Sequence, residues 1–204
     1  TDYDPRIINA DKTEGRWVEH VAEFGFAPPT IGVKKTGNKK EFIPAIPGMI
    51  MTLDKSGFKG NKSGKDQKFV RWYAPNAAHA TTKLARNCVS CHINSQALGF
   101  GKGTLNYVVD AKKAHWEFTS YYANSPQDGL PQDAWIGFLK ELNKNTTYSS
   151  HDYFFPLDLK EQKKMLVVGA CIHCHQKDDK FLKRLTNGDY QKILKIRKRI
   201  CVIP

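Results

Sequence analysis

Apolar positions along this 204-residue chain fall in short, broken runs, most of them closed by glycine or proline. Residues 1–16 are polar and read as an extended arm. Trp17–Phe24 predicts a short helix, halted by Gly25 and by Pro28-Pro29. Phe42–Leu53 carries Pro44 and Pro47 ahead of Met49-Ile50-Met51-Thr52-Leu53, which is apolar and tolerant of strand. A Gly/Lys-rich stretch over 54–67 follows, then Lys68–Ala74, and the two apolar runs around that loop predict a β-ribbon ended by Pro75. Ala77–Asn87 predicts a helix that delivers Cys88 at its C-terminal end. Gly99, Gly101 and Gly103 then break the chain, and Thr104–Val109 reads as a short strand. Pro131 suits the first position of a helix running through Ala134–Leu139, after a loop over Ser125–Pro131. Leu159–Cys174 predicts another helix, with Met165, Leu166 and Val168 on its apolar face. From Asp189 to Ile200, Ile193, Ile196 and Ile200 recur at helical spacing among Lys and Arg, predicting a basic amphipathic helix packed on the body.

Composition narrows the partners. Hydrophobic residues make up 40% of the chain, and the mean hydropathy is −0.54. This fits an interior filled in part by something other than side chains. No run of about 18 apolar residues occurs, so no segment is expected to span a bilayer. Thirty-two Lys and Arg against 20 Asp and Glu give a net charge of +12, which favours acidic partners. The basic residues lie in short groups (Lys34-Lys35, Lys39-Lys40, Lys163-Lys164) and concentrate after Lys177. No nucleic-acid module signature accompanies them, so nucleic acid is not an expected partner. The chain begins at Thr1 with no apolar leader, so an exported form is expected to have lost its signal peptide or to be the end piece of a longer precursor.

Four of the five cysteines carry the chemistry. Cys88-Val89-Ser90-Cys91-His92 and Cys171-Ile172-His173-Cys174-His175 both read C-x-x-C-H, the attachment signature of c-type haem. Two thiols three positions apart can form thioethers with the vinyl groups on one porphyrin edge, and the adjacent His then binds iron as proximal ligand. Three other readings compete. A four-thiol zinc ribbon usually spaces its pairs about 15–20 residues apart, but here 79 residues lie between Cys91 and Cys171. A thioredoxin-like pair would rarely recur with His following each time. Local Cys-x-x-Cys disulfides are strained. The reading is therefore two haem c groups, attached through Cys88, Cys91, Cys171 and Cys174, with His92 and His175 as iron ligands. Their propionates add roughly four negative charges and leave the molecule basic.

The sixth ligands are less determined. Candidates outside the proximal positions are His79, His20, His115 and His151, with His173 inside the second motif expected to point elsewhere. Met49–Met51 reads as plain core, with iron ligation as its alternative, and Cys201 as a buried or free thiol, with thiolate ligation or an intermolecular disulfide as alternatives. After His175 the chain holds no His and no Met, so the second haem must reach upstream, use Cys201 or a Lys, or keep an open position.

A longer pattern resembles a domain of bacterial multihaem cytochromes c. It comprises Pro47-Gly48-Met49, Tyr73-Ala74-Pro75 with His79, Ala97–Gly101, Asp128-Gly129-Leu130-Pro131 with Asp133-Ala134-Trp135, and Val168-Gly169-Ala170. The resemblance implies bis-His haems stacked for electron hopping, carried onto His79 more readily than onto the others. It also implies a periplasmic or extracellular setting, since bacteria attach haem c outside the cytoplasmic membrane. With only two motifs, the chain departs from that pattern in the direction of a subunit or cleaved end of a larger conduit.

The expected fold is mainly α with much irregular structure and a small β-ribbon about a haem-centred core. One body is expected, with an arm (1–16), a first haem region (17–110), a second (111–188) and a basic tail helix (189–204). The expected function is electron transfer between redox partners bearing acidic docking surfaces, as a carrier rather than an enzyme. A dihaem peroxidase and a haem-carrying subunit that self-associates are the alternatives.

Overall fold

Gly37 and Asn38 close the tightest turn of the sheet. Gly37 has φ +57° and Asn38 stays at negative φ. Glycine at the first central position is the requirement of a type II′ turn, whose twist matches the strands it joins. These strands are β2 (Thr30–Thr36) and β3 (Lys39–Ile46), paired antiparallel from Thr36↔Lys39 to Thr30↔Ala45. The computed structural model describes residues 16–21, 30–46, 50–54, 67–75, 87–110, 113–175, 179–186 and 192.

The remaining elements, in chain order, begin with β1 (Arg16–Val21), β4 (Ile50–Asp54), β5 (Gln67–Pro75) and the single turn α1 (Val89–His92). They continue with β6 (Gly103–Asp110), β7 (Lys113–Ser120), β8 (Thr147–Ser149), β9 (Phe154–Pro156), α2 (Leu159–His175) and α3 (Asp179–Thr186). Seven strands join in one mixed sheet of order β1-β4-β5-β3-β2-β9, with β8 parallel to β5. Strand β5 is its hub. It pairs antiparallel with β4 through Ile50↔Arg71 and, further along, with β3 through Ile46↔Ala74 and Ala45↔Pro75. Strands β6 and β7 form a separate hairpin, in register from Gly103↔Ser120 to Asp110↔Lys113.

The core lies between the sheet, the hairpin and α2. It contains Val33, Tyr73, Leu98, Phe100, Trp116, Trp135, Phe154, Leu157 and Leu166. Trp135 stacks on Tyr73 with centroids 4.1 Å apart and packs against Phe154 at 5.5 Å. Each such ring pair adds about 0.5–1.5 kcal/mol beyond the area it buries. Phe100, Phe118 and Phe138 form a second triangle at 5.3–5.9 Å.

The expectation of a mainly α fold with only a small β-ribbon is overturned. Among the described residues strand well exceeds helix, and aromatic and aliphatic side chains cluster between the sheet, the hairpin and α2. The predicted helix at Trp17–Phe24 is instead β1 over Arg16–Val21, paired antiparallel with β4. Short apolar runs carry no decisive period, so a strand partner distant in sequence decides between helix and strand. The helix expected from Pro131 through Leu139 is a series of turns. Its carbonyls are claimed from outside: Arg71 Nη1 donates to Pro131 O at 2.9 Å and Ala134 O at 2.7 Å, and Nη2 to Leu130 O at 3.2 Å.

Other readings match. The β4–β5 ribbon, the strand at Gly103–Asp110 and the helix α2 stand where the pattern predicted them. The expected helix over Ala77–Asn87, all but Asn87 itself, and most of the tail from Asp189 lie outside the described residues, as does the arm before Arg16.

Candidate functional site

The first motif folds as one helical turn. The His92 amide donates to Cys88 O at 2.9 Å and that of Ile93 to Val89 O at 3.3 Å. Asn87 caps the turn, with Oδ1 accepting the Ser90 amide at 2.9 Å and its carbonyl accepting the Ser90 hydroxyl at 2.8 Å. Residues three apart in a helix are neighbours on one side, so Cys88 and Cys91 lie together and half-buried. The following segment anchors this turn to the sheet. Asn94 Oδ1 accepts the Ala97 amide at 3.0 Å, and Ala97 O accepts the amide of Ile31 in β2 at 2.8 Å. Ala97, Leu98 and Phe100 are fully buried.

His92 is held by a partner 73 residues away, its Nδ1 lying 3.1 Å from the backbone oxygen of Met165 in α2. A carbonyl oxygen can only accept, so Nδ1 carries the proton in this contact. Burial pushes the His92 imidazole below its usual pKa, opposed by the Met165 carbonyl. The neutral ring protonated on Nδ1 keeps its lone pair on Nε2, the form that binds a transition metal.

The second motif forms the C-terminal end of α2. That helix starts on a reciprocal cap: Asp158 Oδ1 accepts the Glu161 amide at 2.7 Å, and Glu161 Oε2 accepts the Asp158 amide at 3.0 Å. Cys171 is buried and Cys174 exposed. The His175 ring stacks on Phe181 of α3 with centroids 4.1 Å apart. A metal bond lies in the plane of an imidazole, so stacking on its face does not compete with ligation. His173 leans the other way, edge-on to Tyr107 at 5.9 Å and Trp116 at 6.4 Å on the β6–β7 hairpin. This agrees with its expected direction, away from that of His175.

The two motif turns share a contact. Helix α1 packs across α2 at Gly169, where a β-carbon would stand 2.6 Å from the His92 carbonyl oxygen. The structure thus places the His92 and His175 ends of both motifs on one packed pair of helices. None of Cys88, Cys91, Cys171 and Cys174 is in a disulfide. Among the described residues, no three His, Cys, Asp or Glu side chains converge as a metal-ion cluster.

Two of the other candidate ligands, His115 and His151, have partners of their own away from these turns. His115 is exposed on β7 and pairs with Glu117 at 2.9 Å. Strand alternation puts it on the opposite face from the buried Trp116. His151 is exposed, with Nδ1 2.8 Å from the Ser150 hydroxyl and its ring 5.0 Å from Tyr153. His20 sits in β1 opposite Met51 of β4. His79, Met49 and Cys201 lie outside the described residues.

Sequence reasoning missed Arg71 and Asp128. Their side chains have no exposed surface, and they meet through two parallel bonds, Nε to Oδ2 at 2.6 Å and Nη2 to Oδ1 at 2.8 Å. Burial raises the Asp128 pKa, but the Arg71 hydrogen bonds and charge, with help from the Leu130 amide, bring it below its usual value. An arginine in a strand carries no sequence mark of burial. The turn residues around Gly129 were the only available signal.

Among the described residues, no helix is long and apolar enough to cross a membrane. No protein-family model, curated protein or solved structure matches the chain.

Proposed function

We propose that this chain is a dihaem c-type cytochrome of the periplasm or extracellular space that passes electrons between redox partners. The observation that carries the reading is His92. In a C-x-x-C-H turn with both thiols on one side, its Nδ1 proton is committed to a backbone carbonyl, which orients Nε2 as a ligand. The residues present fit haem c. Cys88 and Cys91 would form thioethers with one haem and Cys171 and Cys174 with the other, while His92 and His175 would take the proximal positions. Bound there, haem iron supplies a one-electron couple. The chain's own part is to hold the rings through the motif thiols and imidazoles and to present a basic surface to an acidic partner.

The test is expression in a bacterial periplasm equipped to mature haem c, followed by intact mass and low-temperature EPR. Two covalent haem masses and two low-spin ferric signals are expected. A chain without covalent haem sinks the proposal. A high-spin signal with peroxide turnover would replace electron carriage with the peroxidase alternative.

A further inference from the structure

Helix α2 lends two carbonyls from its middle to neighbours outside it. Met165 O takes His92 Nδ1 at 3.1 Å, and the next carbonyl, Leu166 O, takes the indole N–H of Trp116 at 3.0 Å. Within an α-helix these carbonyls face the amides four residues on, which belong to Gly169 and Ala170. Both side chains are too small to cover them. Gly169 is the tighter of the two. A β-carbon there would stand 2.6 Å from His92 O, 3.1 Å from Ile93 Cγ2 and 3.2 Å from Trp116 Cζ2. The nearest obstacle is backbone, which cannot swing aside as the tip of a long side chain can. Two residues later, the same helix begins the second motif at Cys171.

We infer that Gly169 is a positioning residue: its missing side chain seats the first C-x-x-C-H turn on α2, so the helix that ends in the second motif also orients the His92 ring. The inference rests on the functional reading for what the ring is oriented toward, while the contact itself is independent of it. The two motif turns then behave as one mechanical unit. Displacing α1 from the notch removes the Met165 acceptor from His92, although both residues remain in the chain.

The test uses the full chain labelled with 15N-histidine, with any haem iron kept reduced so that the sample is diamagnetic. Long-range 1H–15N correlations report which nitrogen of His92 carries the proton and how fast that proton exchanges. The wild type should show a protected Nδ1–H. Gly169→Ala should speed its exchange by about tenfold or more, and Gly169→Leu should abolish the protected signal. Both variants should leave the Tyr73 and Trp135 signals in place. A wild-type ring protonated on Nε2, or an unchanged Nδ1–H in Gly169→Ala, overturns the inference, and so does a variant that disturbs the Tyr73–Trp135 core equally. Should Gly169→Leu fail to fold, Gly169→Ala alone decides. Intact mass separates this inference from the functional reading: a haem-free chain with protected Nδ1–H refutes only the latter.

Discussion

Replacing Arg71 with methionine is expected to be the most destabilising single change in the described structure, costing about 3–5 kcal/mol, the range for removing one partner of a buried ion pair. Two losses combine. The Asp128 carboxylate would remain buried without its bidentate partner, and the carbonyls of Leu130, Pro131 and Ala134 would each lose a charged donor, keeping only the Ser125 amide, the Ala134 amide and the Tyr73 hydroxyl. Chemical denaturation followed by Trp fluorescence would read this, since Trp135 adjoins the same loop. Asp128→Asn should cost less, because the carbonyl bonds to Arg71 survive. Combining Arg71→Met with Asp128→Leu should not recover wild-type stability, for the same three carbonyls still lack their bonds to the guanidinium. Equal stability of the wild type and Arg71→Met would show that the pair contributes nothing.

The pair also predicts acid sensitivity. The folded-state pKa of Asp128 is depressed below its unfolded value, burial being outweighed by Arg71. Its contribution is therefore fully present above the unfolded carboxylate value of about 3.9 and is lost as pH falls through the lower, folded one. The wild type should lose stability below about pH 4 more steeply than Asp128→Asn. Parallel acid-unfolding curves would contradict this.

The second large effect concerns the motifs. Changing Cys88 and Cys91 together to alanine should remove one haem from the intact mass, and changing Cys171 and Cys174 should remove the other. The two variants should differ in stability. Cys88 and Cys91 are half-buried on a single turn, so their loss should leave the haem-independent packing intact. Cys171 is buried in α2 beside Ala170 and Ile172, so its truncation should also lower the melting temperature. His92→Ala should retain the thioethers and lose one low-spin EPR signal, since attachment uses the thiols and spin state depends on the axial imidazole. A variant lacking Cys88 and Cys91 that still carried two haems would refute the assignment of those thiols.

Legibility in the sequence followed how local each cause was. Helix α2 was readable because its 17 residues are free of proline and carry Met165, Leu166 and Val168 within a long helix-tolerant run. The β6 strand was readable from its glycine boundary and β-branched run. Strand β1 was not, because six residues satisfy either period and only pairing with β4 settles the choice. The turns at 131–139 read as helix because the Pro131 start is a sound local signal. The arginine that overrides it comes from β5, 60 residues earlier.

The two C-x-x-C-H spacings are wholly a matter of sequence, because thiols three apart and an adjacent imidazole follow from chain connectivity alone. The chemistry expected of the chain comes from them. Only the tertiary structure decided that the two turns belong together. Hydrogen bonding between His92 and Met165, and close packing at Gly169, depend on α1 meeting α2 across a sequence separation of 73 residues. No local propensity encodes such a meeting. It follows from the packing of α1, α2 and the β6–β7 hairpin in the finished fold.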